Sequence, residues 1–170
     1  MKAKVMRKIL WVFLPVILLT VGAKSSYACM CNTSLTLTKI RLLEGKLFTD
    51  KAFLDDYDGV VFTGQVIKIK KVKVKLSSGD DWHNYRVTFK VDRYWKGIDS
   101  SEVVVFTGAG GGDCGIGFRK GDGYIVFGKM FENRLYTGIC TYTADSRYAE
   151  NIIKGLNLGE GKYPVQKSKQ

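Results

Sequence analysis

The chain has 170 residues, 45% of them hydrophobic, with 27 Lys and Arg against 16 Asp and Glu and a formal net charge of +11. That length suits one domain with a real core. Five of the basic residues and none of the acidic ones fall within the first 28 positions, so the remaining 142 residues carry only +6 and the whole-chain figure overstates the basicity of the working protein.

Residues 1–8 hold Lys2, Lys4, Arg7 and Lys8, and Ile9 to Val21 is then almost wholly apolar, with Pro15 inside it. Ser26-Tyr27-Ala28 supplies small residues at the −3 and −1 positions of a cleavage site. This is the three-part pattern of a secretory signal, and its apolar run is shorter than the ~20 residues of a spanning helix. Residues 1–28 are therefore expected to be removed, leaving Cys29 as the first residue of a secreted or periplasmic protein. Two alternatives stay open: an uncleaved membrane anchor, and an outer-surface lipoprotein acylated at Cys29. No later apolar run is long enough to span a membrane.

Four cysteines remain beyond the signal: Cys29, Cys31, Cys114 and Cys140. An even count in an exported chain points to two disulfides. There is no C-x-x-C pair, and the only histidine, His83, is far from any cysteine, which argues against a zinc site of the protein's own. A Cys29–Cys31 bridge is disfavoured, because extended C-x-C places the α-carbons about 7 Å apart. One of the first two is expected to pair with Cys114 and the other with Cys140. Each bridge would close a long loop, worth about 4–5 kcal/mol on the chain-entropy model before strain.

From Asn32 to Asp58 a rough helical periodicity runs through Leu42, Leu43, Leu47, Phe48, Ala52, Phe53 and Leu54, and Thr49 or Asp50 is placed to cap a short helix ending near Asp56. Gly59 opens a long strand through Val66 to Leu76, in which the apolar phase slips; a β-bulge is expected at Lys70-Lys71. Ser77 to Asp81 reads as a hairpin turn. In the next strand Tyr85, Val87, Phe89 and Val91 face one way and Arg86, Thr88, Lys90 and Asp92 the other, ending at Tyr94-Trp95-Lys96-Gly97. Val103–Phe106, Tyr124–Phe127 and Leu135–Tyr142 complete five strands, with Cys114 in the glycine-rich stretch Gly108–Gly117 and Cys140 in the last strand. Asp145 then caps a helix through Leu156, weakened by Gly155. Residues 29–158 form the expected domain, and 159–170 a polar, basic, frayed tail. The order suggests a mainly β fold, a five-stranded closed barrel of the OB type with flanking helices; strand spacing alone also allows a sandwich.

Several motifs lack the context that their chemistry needs. Gly110 to Gly115 spells G-x-G-x-x-G, but no helix follows to hold a pyrophosphate. Gly123 to Lys129 has the spacing of a phosphate loop, yet Met130 replaces the required hydroxyl residue and the letters between the glycines form a strand. His83 reads as a surface residue, and oxidised cysteines are no nucleophiles, so no enzyme and no cofactor is expected. Lys68, Lys70, Lys71, Lys73 and Lys75 form a basic stripe, read first as lysine protection of a strand edge and second as a site for acidic polysaccharide or an anionic envelope. An exported monomer meeting no nucleic acid is expected.

Taken together, the signal ending at Cys29-Met30-Cys31, a helical stretch, Val61-Phe62-Thr63-Gly64-Gln65-Val66, Val87-Thr88-Phe89-Lys90-Val91 with Tyr94-Trp95-Lys96-Gly97, Cys114 in its glycine-rich loop, Gly121-Asp122-Gly123-Tyr124-Ile125-Val126-Phe127 and Cys140 before a helix resemble the tissue inhibitors of metalloproteinases and the wider netrin-like domains. The resemblance covers roughly residues 29–156. It implies an OB barrel with the pairing Cys29–Cys114 and Cys31–Cys140. It also implies a partner, a zinc metalloprotease, whose metal is chelated by the amine and carbonyl of Cys29. Met30 would enter the specificity pocket, and Cys31, Asn32 and Asp113 would flank it. The chain departs from the animal pattern in lacking a third barrel disulfide and a second cysteine-rich domain, and in placing Met30 where a small or hydroxyl residue is usual. It is similar to a short, single-domain bacterial form.

The implied chemistry is sound. A catalytic zinc keeps one position open for water, which a neutral amine and the adjacent carbonyl can displace. A free α-amine titrates at about 7.7–8.0, so the proton is given up cheaply. Pairing at residues 29 and 31 lowers the ordering cost of binding, and an unbranched methionine suits an apolar pocket.

Overall fold

The computed structural model describes residues 29–46, 53–79 and 81–165. The expected signal (1–28), the capping positions Thr49 and Asp50 with Leu47, Phe48 and Ala52 beside them, and the tail end 166–170 lie outside the described residues. In chain order the elements are α1 (Thr33–Leu43), α2 (Phe53–Asp56), β1 (Val60–Lys75), β2 (Asp81–Lys96), β3 (Glu102–Thr107), β4 (Gly123–Phe131), β5 (Arg134–Tyr136), β6 (Ala144–Asp145) and α3 (Ala149–Gly155). The fold is mainly β.

Strands β1, β2, β3, β5 and β4 pair in that order, and β4 returns to pair with β1, so five strands form a ring, with β6 added beside β4. All pairings are antiparallel except the short β3–β5 contact at Phe106 and Tyr136. Inside the ring lie Phe62, Val66, Val87, Phe89, Val91, Val105 and Val126, with Phe118 and Tyr124 meeting Phe89 edge-on. Burying a side chain of the size of Phe62 or Phe89 contributes about 1.5–3 kcal/mol.

The runs Val60-Val61-Phe62 and Tyr124 to Phe127 do not alternate, because both faces of the β1–β4 pair are covered. One face looks into the ring. Val61, Ile125 and Phe127 on the other pack against Leu42 of α1 and Ile152, Ile153 and Leu156 around α3. Phe53 of α2 closes the same layer against Phe127, Tyr57 and Tyr142.

The structure differs from the sequence expectations in five places. Helix α1 begins immediately behind Cys31, nine residues ahead of the first periodic leucine at Leu42. In β1 the register with β2 shifts between Val61 and Phe62, between Thr63 and Gly64, and at Ile67, whereas it is unbroken through Lys70 and Lys71, where the bulge is expected. The slip in apolar phase has another cause: Ile69 packs on the ring core, whereas Val74 is buried on the opposite face of the strand. The last long strand is only Arg134–Tyr136, and Cys140 sits in a turn. The tail is not frayed at its start, since Lys162 exchanges backbone hydrogen bonds with Tyr94 (2.8 and 2.7 Å) and the Trp95 indole donates to the Gly159 carbonyl. Asp145 caps a short 3-10 turn, Ser146–Tyr148, that leads into α3.

The two glycine motifs sit in the contexts that exclude them. Gly111–Asp113 is a three-residue 3-10 turn with no helix behind it, and Gly123 to Lys129 is part of strand β4.

Candidate functional site: a doubly tethered Cys-Met-Cys segment

Two disulfides gather the start of the described chain at one end of the ring. Cys29 is bonded to Cys114 and Cys31 to Cys140, each pair with α-carbons 5.1 Å apart. This is the pairing that the resemblance implies. The two bridges touch, with the Cys29 sulfur 3.7 Å from that of Cys140. Met30, between the two anchors, is 91% exposed.

Each partner of this segment is itself held. Behind it, the Asn32 carbonyl accepts the Thr36 N–H at 3.1 Å, so Asn32 occupies the N-cap position of α1, a place that suits asparagine. The Cys114 loop closes around Asp113, whose carboxylate accepts the N–H groups of Ala109, Gly110 and Gly115 at 2.6, 2.9 and 3.0 Å. Desolvation pushes this carboxyl up, but the backbone donors outweigh it and hold the group below the usual carboxylate range. The loop is so tight that a Cβ on Gly115 would collide with the Gly108 backbone.

The Cys140 turn is fastened from below. The Thr137 hydroxyl donates to the Phe127 carbonyl at 2.8 Å and accepts from the Thr143 hydroxyl at 2.7 Å, and Phe127 N–H donates to Thr143 Oγ1. Lys39 of α1 donates its ammonium to the carbonyls of Thr141 and Thr143, both at 2.8 Å, and of Ile139 at 3.4 Å. Burial draws the Lys39 pKa down to about 8. Finally, Ile139 N–H donates to the Cys114 carbonyl at 2.9 Å, joining the two receiving loops.

The sulfurs of Cys29, Cys114 and Cys140 lie within 4.8 Å of one another. They belong to disulfides and so offer no thiolate to a metal ion. The chemistry available here is that of the backbone of residues 29–31 and of one projecting thioether.

Cys29, Met30, Cys31, Asn32 and Asp113 are thus brought together, with the Asp113 carboxylate turned into its own loop. The lysine stripe is not part of this grouping. Cross-strand pairing places Lys68 and Lys70 on one face, with Arg86, and Lys71, Lys73 and Lys75 on the other. His83 lies in β2 opposite Lys73. Sequence reasoning missed Lys39 and the threonine cluster; only the spacing of Thr137, Thr141 and Thr143 could have hinted at them.

No protein-family model matches the chain, and a search of the curated proteins finds no match.

Among the described residues no helix is long and apolar enough to cross a membrane. Two disulfides are typical of proteins in extracellular or periplasmic surroundings.

Proposed function

We propose that this chain is an exported inhibitor of zinc metalloproteases, built as a netrin-like, OB-type barrel related to the tissue inhibitors of metalloproteinases. The observation that carries this reading is Met30, held almost fully exposed between two cysteines that are each bonded to a fixed loop. After cleavage behind Ala28, the α-amine and carbonyl of Cys29 form a rigid bidentate ligand for the target's zinc, and Met30 enters the adjoining pocket. The ring of five strands with helices packed on one side is consistent with an OB-type barrel.

The arrangement supports inhibition rather than hydrolysis. Among the described residues the segment is flanked by a carboxylate already filled by backbone donors and by oxidised sulfurs, so it offers no general base and no nucleophile. Lipidation is the competing reading, a membrane-anchored binding module with no zinc involvement. The Cys29–Cys114 bridge argues against it, because a thioether lipid needs the same sulfur.

The deciding experiment pairs intact mass of the exported, unreduced protein with inhibition of a zinc endopeptidase. The expected mass is that of residues 29–170 less four hydrogens, and the expected inhibition vanishes when one alanine is added before Cys29 or the amine is acetylated. Potency unchanged by either modification would remove the chelation mechanism.

A further inference from the structure

Two sulfurs of different bridges touch at the tethered end of the chain. Cys29 Sγ lies 3.7 Å from Cys140 Sγ, and Cys114 Sγ lies within 4.8 Å of both. A Cys29–Cys140 bond needs the touching pair to close by only about 1.6 Å, to the ordinary disulfide length.

Thiol–disulfide exchange proceeds when a thiolate attacks a disulfide sulfur within its reach. A small thiol that attacks Cys114 Sγ bonds to it and breaks the Cys29–Cys114 bond. Cys29 leaves with the electron pair, as a thiolate resting against Cys140. Its attack on Cys140 Sγ forms Cys29–Cys140 and breaks Cys31–Cys140, and Cys31 leaves as a thiolate. Attack of that thiolate on Cys114 Sγ forms Cys31–Cys114 and returns the small thiol. No electrons are gained or lost overall, so the thiol acts as a catalyst. Opening the other bridge at Cys31 converges on the same product, because it leaves a Cys140 thiolate resting against Cys29.

The surroundings favour the transfer. Cys29 and Cys140 are 111 residues apart, against 109 for Cys31 and Cys140, so the two pairings close loops of nearly equal entropy. The receiving loops are joined without the bridges, since the Ile139 N–H donates to the Cys114 carbonyl at 2.9 Å. Helix α1 is held to the Cys140 turn by Lys39, whose ammonium rests on the Ile139 and Thr141 carbonyls on either side of Cys140. A cation beside a cysteine favours its thiolate. The part that must move is short, and Met30 within it is almost wholly in solvent.

We infer that the two bridges are an exchangeable pair, in which a small monothiol such as glutathione passes Cys29 from Cys114 to Cys140 and so re-aims the segment that carries Met30. This switch depends neither on where the chain is processed nor on inhibition of a protease.

Two methionines make the pairing readable. Met30 separates Cys29 from Cys31, and Met130 separates Cys114 from Cys140. Cyanogen bromide cleaves after both. With the bridges of the structure, all the resulting pieces stay joined. Only a Cys29–Cys140 bond with Cys31 detached from Cys140 links the piece ending at Met30 to the piece beginning at Phe131 while residues 31–130 come away.

The test incubates the exported, oxidised protein with a catalytic amount of glutathione at about pH 8, where thiols are partly ionised. Iodoacetamide and acid stop the exchange, and cyanogen bromide pieces are read by mass. The linked product is expected from at least about one chain in ten, since loop entropy favours neither pairing. Its rate of appearance should be unchanged by urea below the unfolding transition. A second arm uses Cys114→Ser, which leaves Cys29 a free thiol beside an intact Cys31–Cys140 bridge; there Cys29–Cys140 should form with no added thiol. Should that variant not fold, the parent protein alone decides. The inference is overturned if the parent yields no linked product, if the folded variant keeps only Cys31–Cys140, or if the rate climbs with urea in step with global unfolding.

Discussion

The sulfurs of Cys29 and Cys140 lie 3.7 Å apart although they belong to different bridges, so the two disulfides form one contiguous unit. Each bridge therefore helps to position the other.

That contact makes the bridges energetically coupled. Replacing Cys31 and Cys140 together by serine should cost about 2–5 kcal/mol, the usual loss when a native bridge is removed from a small domain. Removing both bridges should differ from the sum of the separate losses by more than about 0.5 kcal/mol, the usual limit of additivity for distant sites. Urea midpoints of the three variants under oxidising conditions test this; simple additivity would mean the contact carries no energy.

Met30 separates function from stability. Its side chain is almost wholly in solvent, so Met30→Ala should leave stability within about 0.5 kcal/mol of the parent. Inhibition of a sensitive zinc endopeptidase should nevertheless weaken about tenfold or more, because the pocket loses its occupant. Equal inhibition constants for the two proteins would show that the thioether does not enter the target.

Asp113 supplies a pH dependence. Its carboxyl is held below its ordinary value by backbone donors despite partial desolvation, so the ionised form stabilises the folded chain. This contribution is complete above the unfolded carboxyl's value of about 3.9 and is lost as the pH falls through the lower, folded one. Asp113→Asn should melt below the parent at neutral pH, and the gap should close progressively in acid. Thermal melts from pH 7 downward check it, and a gap that widened in acid would reverse the sign.

Gly155 carries a steric prediction. A Cβ there would collide with Leu42 Cδ2 and lie 3.1 Å from the Lys46 carbonyl. Alanine is the better helix former by about 1 kcal/mol, yet overpacking of this kind typically costs about 1–3 kcal/mol. Gly155→Ala should therefore destabilise, by denaturant midpoint, and adding Leu42→Val should recover part of the loss.

Parts of this structure are legible in the sequence because one physical pattern dominates. In β2, Val87, Phe89 and Val91 alternate with polar residues because one face looks into the ring, and the structure buries all three. The start of helix α1 is hidden because Ser34 to Thr38 alternates polar and apolar letters, as a strand does, and its first turn carries no acid. The shift at Ile67 is masked because Val72 and Val74 are apolar on the face opposite Ile69, which mimics a slipped register further along. The last strand reads too long because the letters from Leu135 to Tyr142 do not show that Gly138 passes the Cys114 carbonyl too closely for a side chain, its Cβ position being 2.5 Å from that oxygen. Cysteine spacing leaves the pairing open. Lys39, Asn84 and Tyr136 read as ordinary letters, since their burial is decided by elements far away in the chain.

The bridges also span most of the chain, with separations of 85 and 109 residues. A single proteolytic nick in the hairpin tip at Leu76–Gly79 would leave both fragments covalently attached, with the projecting methionine still in place. The proposed inhibitor would thus survive being cut by its target, and would come apart only under reduction.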